Sequence, residues 1–343
     1  MVGKLFKSGR IKAIALAAMS LGVGAVIFFI VIGYSEVNSI IAPFKKFSLL
    51  YFLLFFITSF SLSLLSILRW QLIARKMGYR VPFWKLFMYR NMGFVIGYLT
   101  PTARMGGDPL RAMFLTKEHN VPGTIAYSSV MLDRFLDLSI GALVVTTSLL
   151  VSIFVFDLPP GTRMFFILLS FFVALMFSLC YYRLIKRHGF LSSLISMLGL
   201  ARSSVFRKIY IKAGEVERIA SNFFYYANRK HMIPLVVISV LLWLLFIAEF
   251  KFALMAVGYN ATILQVFLVI VFTGVITMLP VPASLGVLEA GQASAFTIMK
   301  AGPSLGIALA LIIRARDMIW VFFGLILLSR KGLSMAAFFN NKK

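Results

Sequence analysis

Six long apolar runs, at residues 11–33, 47–68, 124–156, 164–182, 232–257 and 305–328, dominate this 343-residue chain. About 20 apolar residues in a helix cross the roughly 30 Å hydrocarbon layer of a bilayer, so each run is long enough to span. The chain is 61% hydrophobic and only 13% charged. A soluble domain carries about 25% charged residues, so there is too little charge here to cover a surface facing water. The sequence therefore reads as a polytopic, all-α membrane protein. The first run follows a basic stretch, as a signal-peptide core does. It is too long for one and no small-residue cleavage site follows it, so it is expected to be retained.

Lys and Arg outnumber Asp and Glu by 35 to 11, for a net charge of +24. A nucleic-acid binder would carry that excess on a polar surface. Here it sits at the ends of the apolar runs, which indicates orientation and anionic headgroups instead, with no nucleic-acid partner. Of the 35 basic residues, 24 lie in four stretches: the N-terminus, the segment holding Arg69 to Arg90, the connection 183–231 and the C-terminal tail. These four are expected inside, which makes both termini cytoplasmic in a multi-pass protein of the cytoplasmic membrane.

Two further apolar regions, 83–115 and 263–299, are broken near their middles by Pro and Gly. The charge parity requires the first to enter and leave from the cytoplasm and the second from outside. The expectation is about six transmembrane helices plus two re-entrant helical hairpins in one membrane domain, 1–343. Residues 11–156 and 163–329 then form two halves of opposite topology, an inverted repeat of the kind found in transporters. Within the second half, 183–231 is expected to carry an amphipathic basic helix on the inner leaflet.

The hairpins turn through GYLTPTARMGGDPLRAMFL and LPVPASLGVLEAG, with Pro101, Gly106 and Gly107 in the first and Pro280, Pro282 and Gly286 in the second. Non-helical backbone at membrane depth needs protein or a wet cavity to satisfy it, so these tips should face the interior. Half-helices starting there would aim their N-terminal N–H groups at whatever lies between the tips, a field that suits an anion. Each hairpin is followed by a run with ionisable residues deep inside it. In the first half these are Asp133, Arg134 and Asp137; in the second they are Arg314, Arg316 and Asp317. With Arg104, Asp108, Arg111 and Glu289 on the hairpins they form the candidate substrate-binding set. Buried charge at such depth is costly and marks function, although mutual neutralisation that merely holds the hairpins would use the same residues. Glu249 is a candidate for lining an outer vestibule, while Lys251 is expected to snorkel to the interface.

Cys180 alone forms no internal disulfide, and His119, His188 and His231 are scattered, with no HExxH or CxxC. No metal site and no cofactor are expected.

PTARMGGDPLRAMFL, MLDRFLD, LPVPASLGVLEAG and the late IIRARD resemble the signature blocks of the flippase-like membrane domain of lysylphosphatidylglycerol synthase/flippase proteins. The resemblance covers residues 12–329. It implies a membrane domain with two re-entrant segments that handles a lipid, fused in some relatives to a soluble transferase domain. With the tail ending at Lys343, no such domain is expected here. The functional zone implied by the resemblance is Pro101, Arg104, Gly106, Gly107, Asp108 and Arg111 on one hairpin, with Pro280, Gly286 and Glu289 on the other.

The sequence thus points to a flippase or transporter for an anionic phospholipid or lipid-linked intermediate, with arginine forks on the phosphate. Its membrane lipid is the expected partner. The alternative is a non-transporting subunit that presents lipid to a separately encoded synthase or glycosyltransferase. An oligomer is compatible with either. An enzyme using Asp108, Asp133 or Glu289 as acid or base is disfavoured, because no catalytic triad or metal set accompanies them.

Overall fold

The computed structural model describes residue 33 and residues 37–102, 104–186, 204–226 and 229–331. The expected span at 11–33 lies outside the described residues except for Gly33, as does 187–203 of the basic connection. Among the described residues the regular structure is entirely helical. A short α1 (Val37–Ile41) and a 3-10 turn (Ala42–Lys46) lead into α2 (Leu49–Lys76), α3 (Phe83–Leu99), α4 (Asp108–His119) and α5 (Gly123–Val155). There follow α6 (Pro160–Ile185), α7 (Ser204–Tyr226), α8 (Arg229–Ala256), α9 (Ile263–Thr277), α10 (Val287–Ile298) and α11 (Pro303–Arg330).

Four of these, α2, α5, α6 and α8, are long and apolar enough to cross a membrane. Only 11% of the most apolar stretch of α6 is buried within the protein, and Phe171 and Phe172 are 67% and 61% exposed. That surface belongs against hydrocarbon. At 28 residues α11 is as long as α2 and α8, but Arg314, Arg316 and Asp317 interrupt its middle. At the other end of the bundle, α2 continues eight residues past the apolar run that defined it, to Lys76. Arg69, counted from the sequence as part of the cytoplasmic connection, is therefore inside the helix bundle, with 1% of its surface exposed.

Both interrupted regions are helix pairs that fold back on themselves. Tyr89, near the start of α3, stacks on Phe114 of α4 at 4.8 Å and donates to Glu118 at 2.8 Å. The start of α3 thus lies beside the end of α4. Likewise Tyr259, just ahead of α9, packs against Phe296 near the end of α10 at 5.6 Å, and Gln292 donates to Thr273 across the pair at 2.7 Å. Local chemistry sets the boundaries. Asp108 and Pro109 open α4, where the missing proline N–H is harmless, and Asn120 closes it in the left-handed conformation. Thr262 and Gln265 cap α9 reciprocally.

Two apolar cores follow this division. One joins Ile67, Trp70, Leu86 and Leu110 around α2, α3 and α4; the other joins Phe250, Val266, Phe296 and Leu309 around α8 to α11. Helix α11 seals both, because its backbone approaches each pair at a glycine. A Cβ at Gly306 would lie 2.3 Å from the Gln292 carbonyl on α10, and one at Gly324 would lie 2.6 Å from the Asn91 carbonyl on α3.

Helix α7 is amphipathic, as the sequence suggested, but protein takes its inner face. Glu217, Ala220 and Ser221 are buried while Lys212, Glu215 and Arg218 are exposed. Ala220 joins Ile73, Leu132 and Leu235, and the Ser128 hydroxyl donates to the Val216 carbonyl at 3.0 Å. This helix packs against α5 on the side of Glu217, Ala220 and Ser221, and Lys212, Glu215 and Arg218 stay exposed.

Candidate functional site

The tips of the two hairpins are built alike. In the first, Arg104 has φ 62°, and α4 begins four residues later with Asp108. In the second, Ala283 and Ser284 have φ 54° and 49°, and Glu289 lies in the first turn of α10. A non-glycine residue with positive φ costs of order 1–3 kcal/mol and persists only when its surroundings hold it. The holder is in each case an arginine on the long helix that follows the hairpin. Arg134 on α5 donates to Asp108 at 2.9 Å and to the Arg104 carbonyl at 3.3 Å. Arg314 on α11 donates to Glu289, at 2.9 Å through its Nη2, and to the Ala283 and Ser284 carbonyls at 3.2 Å each. The planar guanidinium fork can take a first-turn carboxylate and a tip carbonyl together.

This arrangement changes what the half-helix N-termini offer. Their positive ends, expected to face a substrate anion, already hold Asp108 and Glu289. The tips are closed by the protein's own carboxylates. Close backbone packing fixes the first of them, since a Cβ on Gly107 would lie 1.9 Å from the Gly93 carbonyl oxygen. Pro101 and Gly106 lie within the first tip, partly buried; Pro282 and Gly286 are buried in the second, and Pro280 is exposed.

The remaining charges form two sets of ion pairs, one around Asp133 and one around Asp317. Asp133 is buried between Arg69 and Arg111, each at 2.9 Å, and Arg111 reaches on to Asp108 at 3.2 Å. Arg111 lies over the Trp70 ring at 4.1 Å, and its Nε has no partner. Asp137, more exposed, lies 3.4 Å from Arg69. On α11, Arg316 pairs with Asp317 at 2.8 Å and with Glu249 of α8 at 2.7 Å, and Arg104 reaches Asp317 at 3.1 Å. Arg314 and Asp317, open to pairing by their spacing, each take other partners. Glu249 is buried and faces inward, whereas Lys251 hydrogen-bonds Asn260 at 2.7 Å and the Ala261 carbonyl at the end of its helix.

At the centre is a partly open cavity of about 350 Å³. Arg104, Asp108, Arg111, Arg134 and Asp137 line one side, and Arg316, Asp317 and Glu249 line another. The aromatic residues Phe94, Trp243, Phe246 and Trp320 line it as well. Asp133, Glu289 and Arg314 lie behind the lining. The sequence did not single out Arg69, which anchors Asp133, or Arg90, which lines the cavity. Among the described residues no cluster of metal-ligating side chains occurs.

The family described as the lysylphosphatidylglycerol synthase transmembrane region matches residues 14–325. The chain belongs to this family. It is a multi-pass membrane protein, and the relatives are membrane proteins by their names. A UPF0104 membrane protein of Methanothermobacter thermautotrophicus is 26% identical over 89% of this chain and 88% of its own. Another, from Pyrococcus horikoshii, is 24% identical over 72% of this chain and 76% of its own. A third, from Methanocaldococcus jannaschii, is 36% identical over 26% of this chain, and that match spans 27% of the relative. No solved structure matches the chain. The family match takes in both hairpins, both arginine latches and the whole lining of the cavity.

At the far end of α4, Glu118 holds Lys331 as well as Tyr89. Burial raises its carboxyl pKa, but the hydrogen bonds from Lys331 and Tyr89 outweigh that and keep it below the ordinary value.

Proposed function

We propose that this chain moves an anionic phospholipid, or a lipid-linked intermediate of like charge, across the cytoplasmic membrane, with no bond-breaking chemistry of its own. The observation that carries this reading is the depth of the cavity. It is lined from Ser59, Ser63 and Ser66 of α2, from Leu242 to Glu249 of α8 and from Arg316 to Trp320 of α11, the middle of each long helix. Transporter substrate sites lie at that level, between repeats. A volume of about 350 Å³ accepts a headgroup and leaves the acyl chains outside, against hydrocarbon.

The inverted repeat is part of the proposal. It is supported by the paired latches, in which the first-turn acid and its arginine are 26 residues apart in one half and 25 in the other. Contacts between helix ends support the grouping of ends on two sides that this topology requires. Lys331 pairs with Glu118, both on the side expected to be cytoplasmic. On the opposite side Lys300 meets Asp157 at 3.2 Å and the Ser48 N–H donates to the Ala256 carbonyl at 3.0 Å. In a Cys180→Ser background, Asp157→Cys is expected to react with an impermeant reagent added outside and Arg75→Cys is not. The reverse pattern would refute this topology.

The function is tested with purified protein in vesicles holding fluorescent phosphatidylglycerol, by the fraction of label that becomes accessible to a quencher added outside. Faster exchange than in protein-free vesicles is expected. Lipid binding without exchange would favour the lipid-presenting alternative.

A further inference from the structure

The charge of the whole site does not balance, and the imbalance is localised. The cavity lining and the pairs behind it hold seven arginines and six carboxylates. Six of the arginines, at 69, 104, 111, 134, 314 and 316, are in ion pairs. The seventh is Arg90 on α3. It lines the cavity and, among the described residues, has neither an ion-pair nor a hydrogen-bond partner. Its charge senses those of Asp133 and Asp137, but also the like charges of Arg111 and Arg134. An arginine held at depth in a membrane protein without a carboxylate is costly, unless an anion or water meets it.

Resting on the transport reading above, we infer that Arg90 is the phosphate seat of the cavity, and that the lipid it takes carries one net negative charge at its headgroup, a phosphodiester monoanion. The other arginines are committed to carboxylates, so a single negative charge neutralises the site. A phosphomonoester or pyrophosphate, with two or more charges, would leave the cavity negative. Phe94, one helical turn from Arg90 on α3, and Trp243, Phe246 and Trp320 also line the cavity, which fits a lipid rather than a soluble phosphodiester.

The test uses the full chain in detergent, followed by thermal unfolding with phosphatidylglycerol, phosphatidylcholine or soluble glycerophosphoglycerol added. Phosphatidylglycerol is expected to stabilise the wild type more than phosphatidylcholine does. Arg90→Gln is expected to keep wild-type yield, since it strands no partner, and to weaken the phosphatidylglycerol response about tenfold in lipid concentration; Arg90→Lys should lose less. A second variant works in the opposite direction. Asp137→Asn leaves Arg69 paired with Asp133 and adds one net positive charge, so it should respond at lower phosphatidylglycerol concentration.

An undiminished response in Arg90→Gln overturns the inference. If that variant fails to accumulate, Asp137→Asn decides, and an unchanged response there overturns it equally. Equal stabilisation by glycerophosphoglycerol would show a site for a free phosphodiester and would overturn the lipid assignment. Phosphatidylglycerol exchange in vesicles without preferential stabilisation of the wild type would sink the seat at Arg90 and leave the transport reading standing. Stabilisation lost in Arg90→Gln, with no exchange by the wild type, would do the opposite.

Discussion

Arg314→Leu is expected to lose most of its detergent-stable yield, and adding Glu289→Leu is expected to restore much of it. Glu289 is fully buried, and Arg314 is its ion-pair partner. Removing one member of such a pair leaves the other charge desolvated and costs roughly 3–5 kcal/mol, whereas removing both is often close to neutral. The rescue should be specific to Glu289. Asp317, three residues along the same helix, is paired with Arg316 and Arg104, so Asp317→Leu should compound the loss. Arg134→Leu is the matching change at the first hairpin and should cost much less. There the side chains of Arg134 and Asp108 are 34% and 18% exposed, so water screens the pair, and Arg111 still holds Asp108. Thermal unfolding of the four proteins in one detergent checks the order. Equal losses at Arg134 and Arg314 would contradict the account of the two latches.

The charges that build this site were legible in the sequence because ionisable residues inside apolar runs are rare and stand out. Their partners were not. Spacing along one helix identifies neighbours on a helix surface, but Arg69 finds Asp133 64 residues away and Arg104 finds Asp317 213 residues away. Such pairings are set by how helices pack. Arg69 and Arg90 were hidden for a different reason. Hydropathy falls after Leu68, so a reading by apolar runs ends the span there and counts both arginines as part of a basic cytoplasmic segment, while α2 runs on to Lys76 and Arg90 lies on α3. The signal that separates Arg69 from its neighbours is periodic: Ser59, Ser66, Arg69 and Ile73 share one buried face of α2. The breaks at the hairpins were visible through Pro and Gly, and residues 100–107 and 278–286 do separate the paired helices. That Arg104 and Ala283 would adopt the left-handed conformation was not visible, because neither residue favours it. The arginine that holds each of them lies about 30 residues downstream.

Asp133→Asn should be the most damaging single change in the first half. This carboxylate meets Arg69 through one oxygen and Arg111 through the other, and the side chains of all three are at most 5% exposed. Asn keeps the shape but cannot balance either cation. Arg69 would keep only the more exposed Asp137 at 3.4 Å, and Arg111 only Asp108 at 3.2 Å, so the loss should approach the roughly 3–5 kcal/mol of a broken buried pair. Replacing the whole triad, Arg69→Met with Asp133→Leu and Arg111→Met, leaves no buried charge of the triad behind, and Asp137, which loses Arg69, is 42% exposed and open to water. On the same physical grounds the triple variant should recover folded yield. It should not recover lipid movement. Arg111 also holds Asp108, which holds Arg134 against the first tip, and losing the triad takes one net positive charge from the site. The hairpin would be loosened and the site would become neutral, so an anionic headgroup would lose its attraction. Yield and phosphatidylglycerol exchange measured side by side decide the matter. A triple variant that recovers both would show that the triad is scaffold alone, and a wild-type yield for Asp133→Asn would show that the network is wetter than its burial implies.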